Sequence, residues 1–394
     1  MPTAGAGGRV EEDAMKRLVV CCDGTWGSPV NASVTNIEKI ARAIRTDKPV
    51  DGVQQMVFYV GGVGSRGYLA DRVLGGAWGY GLTTNVVEGY RVIAMNYDPG
   101  DEIFVFGFSR GAYTARSVAG MIASVGLLRP DALLRDGLAK AEQAYRDYRP
   151  GGAQRRAAFK TASCYDSTPI TFLGVFDTVG ALGVPLPFMR RAKFHDVTLS
   201  ASVRCARQAL SIDDRRIKFE PSLWEVPVDE PPGRVKQVWF PGSHSEVGGG
   251  TAHRGLSDVA LRWMVGEAVA AGLGVDPDRI EAQVEPEARF VSHPGPGPLF
   301  GTLNVFSALH RHPRFRLGRR HWRRVLAGLD APHAPAQEYR TTIAEHAERM
   351  SLDAGSAYQR DAVNIRWWRT LAGDQLPVEH IAFEDDDARQ VELT

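Results

Sequence analysis

Ser109 stands between two glycines in Gly107-Phe108-Ser109-Arg110-Gly111-Ala112. A serine hydroxyl is a weak nucleophile at its ordinary pKa, so it does chemistry only where a base activates it and a turn exposes it. The Gly-x-Ser-x-Gly spacing supplies that turn. The serine occupies a strained passage from strand to helix, and the residues two before and two after must be small to avoid collision. The first amides of the helix point at the same place and favour developing negative charge. The alternative is a Gly-Ser turn without chemistry. Context favours the chemical reading: Ile103-Phe104-Val105-Phe106 ahead reads as a buried strand, and Ala112 to Ile122 behind reads as a helix.

A nucleophilic serine needs a base and an acid. Asp177 follows the apolar run Ile170 to Phe176, and His244 follows Val235 to Phe240 within Pro241-Gly242-Ser243-His244-Ser245-Glu246-Val247-Gly248-Gly249-Gly250. Both lie just past predicted strands, on the edge where open α/β sheets place their sites. Ser, Asp, His is also the chain order of the α/β-hydrolase triad. Each has a plainer reading: Asp177 as a turn or helix N-cap, His244 as a structural histidine in a glycine-rich loop. Glu246 is the rival acid, or a group that hydrogen-bonds a neighbouring loop.

The elements that must position these residues read as a doubly wound, mostly parallel sheet of the α/β-hydrolase kind. Leu18 to Cys22 is wholly apolar, as in a strand buried on both faces. Thr35 to Ile44 has helical spacing, Met56 to Val60 reads as a strand, and Tyr80 to Met95 as a helix. Alternation of strand and helix implies right-handed crossovers. A flexible segment is expected at 1–15 and one domain over 16–370. Insertions are expected over the rim at 125–168 and 185–232, the second with a helix around Leu199 to Ser211. From 251 the chain is expected to be helical or irregular, with a helix near Leu256 to Ala271 and a tail at 371–394. No internal repeat is visible.

Counting back two strands from the nucleophile reaches Asp23-Gly24-Thr25-Trp26, the loop that carries the second oxyanion donor in this architecture. The expected oxyanion hole is the N–H of Gly24 or Thr25 together with that of Arg110, with Asp23 holding the loop. A tight turn at Asp23-Gly24 is the alternative. Cys21-Cys22-Asp23-Gly24-Thr25 also approaches the Asp-x-Asp-Gly-Thr motif of haloacid-dehalogenase phosphatases, but Cys21 stands where that chemistry needs its nucleophilic Asp. Gly61-Gly62-Val63-Gly64-Ser65-Arg66-Gly67 lacks the spacing of a phosphate cradle.

The chain has 394 residues, 44% hydrophobic and 24% charged, which excludes disordered and fibrous classes. A formal net charge of +1 gives no global argument for nucleic acid, and none is expected as a partner. Cys21, Cys22, Cys164 and Cys205 form no Cys-x-x-Cys pair, so they read as small hydrophobes. No metal or cofactor is expected. Met1 to Ala14 lacks a basic segment followed by an apolar core, and no run of about 18 apolar residues occurs, so the expected location is the cytoplasm. The stretch from His310 to Arg324 holds seven arginines around Phe315, Leu317 and Trp322. Peripheral contact with an anionic membrane surface is one reading of it. Arginines paired with acidic neighbours on a solvated face are the favoured one.

Together, Cys22-Asp23-Gly24-Thr25-Trp26, the Ser109 turn through Tyr113, Phe176-Asp177-Thr178-Val179-Gly180 and the Trp239 to Gly250 segment resemble a bacterial α/β-hydrolase family. It includes the catalytic domains of class-one lipase effectors of type VI secretion. Ala209 to Arg215 and Phe219-Glu220-Pro221 add to the likeness, which runs from about Arg17 to Gly250. The resemblance implies a triad of Ser109, Asp177 and His244 acting on an ester or lipid, including phospholipid. The chain departs from the family at Glu246, where Asp is common, at Gly27, where Asn is common, and at Cys22, where an apolar aromatic is common. No delivery module is evident. The same residues would serve a thioesterase or acyltransferase, and a non-catalytic protein on a hydrolase fold is the alternative from another class.

Overall fold

The computed structural model describes residues 15–24, 34–61, 77–147, 150–179, 199–285, 315–317, 322–324, 326, 340–353, 358–359, 362–372 and 376–381. The first half alternates strand and helix: β1 (Lys16–Cys22), α1 (Asn36–Ala43), β2 (Gln54–Val60), α2 (Ala77–Asn96), β3 (Glu102–Phe108) and α3 (Arg110–Val125). Short helices follow, α4 (Pro130–Ala132), α5 (Leu138–Tyr145) and α6 (Gly152–Ser163), then β4 (Phe172–Phe176), β5 (Ala206–Ser211) and β6 (Val235–Phe240). Next come α7 (His244–Gly248), α8 (Gly255–Ala270) and α9 (Pro277–Glu281), and a small hairpin of β7 (Phe315–Leu317) and β8 (Trp322–Arg324). The described chain closes with β9 (Thr341–Ala344), α10 (Glu345–Leu352), α11 (Val363–Ala372) and β10 (Val378–Glu379).

Eight strands form one sheet in the order β10-β9-β6-β5-β4-β3-β1-β2, and every pairing in it is parallel. This is the expected α/β-hydrolase-like, doubly wound sheet. From β1 the chain moves outward to β2, then returns to β3 on the other side, so the order reverses between β1 and β3. That reversal opens a crevice at the carboxyl ends of the strands.

Burial on both faces explains the unbroken apolar runs. Leu18, Val20 and Cys22 pack into one core with Ile103, Val105 and residues of α2 and α3. Val19 and Cys21 point the other way, into a core with Phe104, Phe106 and residues of α1 and α8. A third core, around Trp239, Ile343, Tyr358 and Trp368, closes the far end of the sheet.

Three expectations are corrected. Residues Ala206–Ser211 are a strand and not part of a helix. Ala, Arg, Gln and Leu favour helix in isolation, but all six residues are buried between β4 and β6, and pairing on both sides overrides propensity. The polar members are matched there: Arg207 Nε meets Glu267 Oε2 at 2.5 Å, and Gln208 Nε2 donates to Ser222 O at 2.9 Å. The 185–232 interval is therefore partly sheet and not wholly a rim insertion. The region after 251 supplies two further strands of the sheet, β9 and β10, and the second falls inside the expected tail. Residues 294–298, a stretch rich in Pro and Gly, and Gly62 to Gly67 lie outside the described residues.

Helix α1 is tied to α7 and α8. Its N-cap Thr35 accepts from Glu38 N–H, and Asn36 Nδ2 donates to Val247 O at 2.9 Å and Ser257 O at 2.8 Å. Further along, the Lys39 ammonium meets the Asp258 carboxylate of α8, both almost fully buried. Burial pushes the Lys39 ammonium down, and Asp258 does not fully offset this. Removing one partner strands the other, so Lys39→Met should cost about 3–5 kcal/mol. The double variant Lys39→Met/Asp258→Leu should recover most of that, as read by urea unfolding of all four forms. A single-variant loss below about 1 kcal/mol would mean that the pair behaves as a solvated one.

Candidate active site

Ser109 sits at the tip of β3 with φ 57° and ψ −117°, a backbone that an L-residue adopts only under constraint. Two close approaches create that constraint. A Cβ on Gly107 would stand 2.4 Å from Gly111 O, and one on Gly111 would stand 2.1 Å from Cys22 O. Both glycines of the motif are thus dictated by backbone packing against backbone. The turn is pinned by Ser109 N–H donating to Phe176 O at 3.1 Å.

Asp177 ends β4 and also has positive φ, at 36°. Its N–H donates to Ala209 O at 2.7 Å. His244 opens α7 after β6. Glu246 Oε2 accepts the Ser243 N–H at 2.7 Å, which fixes the helix start. Glu246 thus serves its own loop.

The three side chains form one chain of contacts. His244 Nε2 lies 2.8 Å from Ser109 Oγ, and His244 Nδ1 lies 2.6 Å from Asp177 Oδ2. The imidazole is 4.7 Å from the Phe108 ring and meets Phe219 edge-on at 5.1 Å. Gly248 permits this, since a Cβ there would fall 2.0 Å from Phe108 Cε2.

Electrostatics follow from burial. Asp177 is fully buried, which by itself pushes its carboxyl up. The Arg324 guanidinium and the His244 contact outweigh burial and hold Asp177 well below the usual carboxylate range. For His244, burial dominates and lowers its value, against the raising effect of Asp177. A neutral imidazole between a hydroxyl and a carboxylate can accept the hydroxyl proton, and the carboxylate can hold the resulting cation.

Arg324 was not singled out from the sequence as a site residue. It lies on β8, within the arginine-rich stretch, and is fully buried. Its Nη1 donates to Asp177 Oδ1 at 2.5 Å and its Nη2 to Asp177 Oδ2 at 3.0 Å. The favoured reading of that stretch paired its arginines with acids on a solvated face. For Arg324 the acid is present and the solvent is not. Only the cationic run itself could have pointed to it.

The loop after β1 borders the serine: a Cβ on Gly24 would stand 3.5 Å from Ser109 Cβ. Asp23 holds it, as Oδ1 accepts Gly24 N–H at 2.6 Å, Oδ2 accepts the Thr35 hydroxyl at 2.7 Å, and Tyr59 OH donates to Oδ2 as well. Burial pushes the Asp23 carboxyl up despite these donors. One expectation changes here. The Gly24 N–H is engaged by Asp23 and does not stand ready as an oxyanion donor. Thr25 lies outside the described residues. Arg110 begins α3, next in the chain to Ser109, and burial lowers its guanidinium to about 10. Among the described residues, no group of three or more His, Cys, Asp or Glu could hold a metal ion, and no helix is long and apolar enough to cross a membrane.

Residues 16–267 match the family described as the type VI secretion phospholipase effector Tle1-like catalytic domain. That is well over half of the chain, and the protein belongs to this family of phospholipase-effector catalytic domains. A curated relative, the uncharacterized protein YEL023C of Saccharomyces cerevisiae, is 30% identical over 227 residues, 52% of this chain. The chain spans only 32% of that relative's length. Among solved structures, the Tle1 effector bound to the VgrG spike of the type 6 secretion system is 18% identical, over 60% of this chain and 52% of that one, with a TM-score of 0.38. An uncharacterized protein from Pseudomonas aeruginosa is 17% identical, over 96% of this chain and 62% of that one, with a TM-score of 0.41.

The backbone approach at Gly111 generates a stability prediction. Gly111→Ala forces α3 away from β1 and should cost about 1–3 kcal/mol, with slower reaction of Ser109 toward an electrophilic probe. A urea midpoint unchanged from that of the original chain would contradict the packing described.

Proposed function

We propose that the protein is a serine hydrolase that cleaves carboxylic esters through an acyl-enzyme, with phospholipid acyl esters as the substrate class. The single observation that carries this is the unbroken contact chain Ser109–His244–Asp177, at 2.8 and 2.6 Å. Membership of the phospholipase-effector family supports the lipid part of the reading.

In this mechanism Ser109 Oγ attacks the ester carbonyl while His244 Nε2 takes its proton. Asp177 fixes the tautomer through Nδ1–H and stabilises the imidazolium. The Arg110 N–H, at the start of α3, is the donor to the developing oxyanion that best fits the turn. Collapse expels the alcohol, which takes the proton from His244, and leaves Ser109 acylated. Water, deprotonated by His244, then attacks the acyl carbonyl; collapse releases the carboxylic acid and returns the proton from His244 to Ser109 Oγ.

A fluorophosphonate probe should add one adduct at Ser109, visible by intact mass, and Ser109→Ala should abolish it. An adduct that persists in Ser109→Ala, or none on the folded chain, would sink the assignment. Asp177→Asn should lower kcat by about 10⁴-fold. Glu246→Gln keeps an acceptor for the Ser243 N–H and should come nowhere near that loss. Fatty-acid release from phospholipid vesicles, compared with turnover of soluble p-nitrophenyl esters, tests the lipid part.

The pH dependence has a defined sign. His244 must be neutral to act as a base, and burial places its titration below the ordinary 6.5. Activity as kcat/KM should therefore persist as pH falls through 6.5 and decline only at lower pH. An acidic limb centred above 6.5 would contradict the burial of the imidazole.

A further inference from the structure

We propose that Arg324 is a positioning residue of this site: its guanidinium clamps Asp177 and the main chain beneath Phe219, and so fixes His244 from two directions. This rests on the serine-hydrolase reading above.

The geometry is that of a fork closed on several acceptors. Nη1 donates to Asp177 Oδ1 at 2.5 Å and to Ser211 O at 2.9 Å. Nη2 donates to Asp177 Oδ2 at 3.0 Å and to Phe219 O at 2.6 Å. Four of the five N–H groups of a guanidinium are thereby used. The two bonds to the carboxylate prevent its rotation, and a planar fork is the side chain suited to that. Oδ2 is the same oxygen that meets His244 Nδ1, so the carboxylate plane set by Arg324 is the plane the imidazole must meet. The contact to Phe219 O holds the ring that stands edge-on to the imidazole. An ion pair that only stabilised the fold would have no reason to converge on both supports of one histidine.

Through Asp177, Arg324 also bears on the charge that His244 experiences, beside Arg216, which lowers the imidazole, and Asp214, which raises it. A lone carboxylate would strengthen the imidazole's hold on a proton, and a guanidinium on its far side subtracts from that field. Other charged groups face the pair. Asp214 accepts the His244 main-chain N–H at 3.3 Å and is itself paired with Arg216, Nη2 to Oδ2 at 2.5 Å. Arg216 stacks over the Phe219 ring at 3.5 Å. Asp213 accepts Gly242 N–H at 2.7 Å, Glu246 accepts Ser243 N–H at 2.7 Å, and Arg110 follows Ser109. Among the described residues, Arg324 is the cation bonded to Asp177.

The test uses the full chain with Arg324→Gln and Arg324→Lys. Two quantities are followed from about pH 5 to 9: kcat and KM on a p-nitrophenyl ester, and the pseudo-first-order rate of fluorophosphonate labelling at Ser109. The folded fraction of each variant is read separately, from its urea unfolding curve. For Arg324→Gln, kcat should fall about 100-fold with a smaller change in KM. Its acidic limb should move up by about one pH unit, because the charge of Asp177 is no longer offset. Arg324→Lys restores the charge and should return the limb to within about 0.3 unit of the original. Its kcat should stay low, since one ammonium cannot span the carboxylate and both carbonyls. An unmoved limb in Arg324→Gln overturns the proposal, as does a loss that only tracks the folded fraction. If the Gln variant does not fold, full kcat in folded Arg324→Lys overturns it. Absence of the Ser109 adduct in the unaltered chain is a different outcome and overturns the hydrolase reading itself.

Discussion

One buried carboxylate sets the terms for the rest of the crevice. Asp177 is fully removed from water, and an uncompensated charge there would cost several kcal/mol. The compensation comes from parts of the chain far apart in sequence. Ser211 N–H, at the end of β5, donates to Oδ1 at 3.0 Å. His244 comes from the start of α7 and Arg324 from the β8 strand. Each of those elements must therefore arrive at the tip of β4, and the parallel register of β4, β5 and β6 is what delivers two of them.

The same step is repeated along the sheet. Ser109 N–H at the tip of β3 bonds Phe176 O of β4, Asp177 N–H bonds Ala209 O of β5, and Ile212 N–H bonds Phe240 O next to the His244 loop. The ends of β3, β4 and β5 are thus each hooked to the next strand, one residue past the regular ladder. Two of the hooked residues, Ser109 and Asp177, have positive φ. Such backbone costs of order 1–3 kcal/mol each and persists only where the surroundings over-determine it. Here the hooks and the glycine approaches do so. Strain and alignment have one cause: strands that end side by side and turn sharply away.

What could be read from the sequence follows from this. Runs such as Leu18 to Cys22 and Ile103 to Phe106 announce themselves because both faces of the strand are buried. The turns that follow carry Asp23, Ser109, Asp177 and His244 at known distances from a strand end, so local pattern sufficed to nominate them. Strand β5 escaped because its stability is tertiary: Arg207 and Gln208 are acceptable in a central strand only with Glu267 and Ser222 in place. The engagement of the Gly24 N–H by Asp23 depends on a side-chain rotation that no spacing encodes. Arg324 escaped for a third reason. It is 147 residues from Asp177 and is one of seven arginines in its stretch, indistinguishable from the others until the hairpin is placed.

That distance bears on what the functional unit is. The family match ends at residue 267, yet the cation that offsets Asp177 is residue 324. The later segment also supplies β9 and β10, which extend the sheet past β6, and Leu326, Tyr358 and Trp368 of the third core. Within that core Trp239 lies on β6, the strand that leads into the His244 loop. The motif-bearing segment therefore contains the Ser109–His244–Asp177 chain but not the guanidinium that offsets its buried charge. Burial alone raises the Asp177 carboxyl, and the Arg324 guanidinium is the largest effect opposing it, so the energetics of this site reach beyond the stretch in which its three contacting side chains are found.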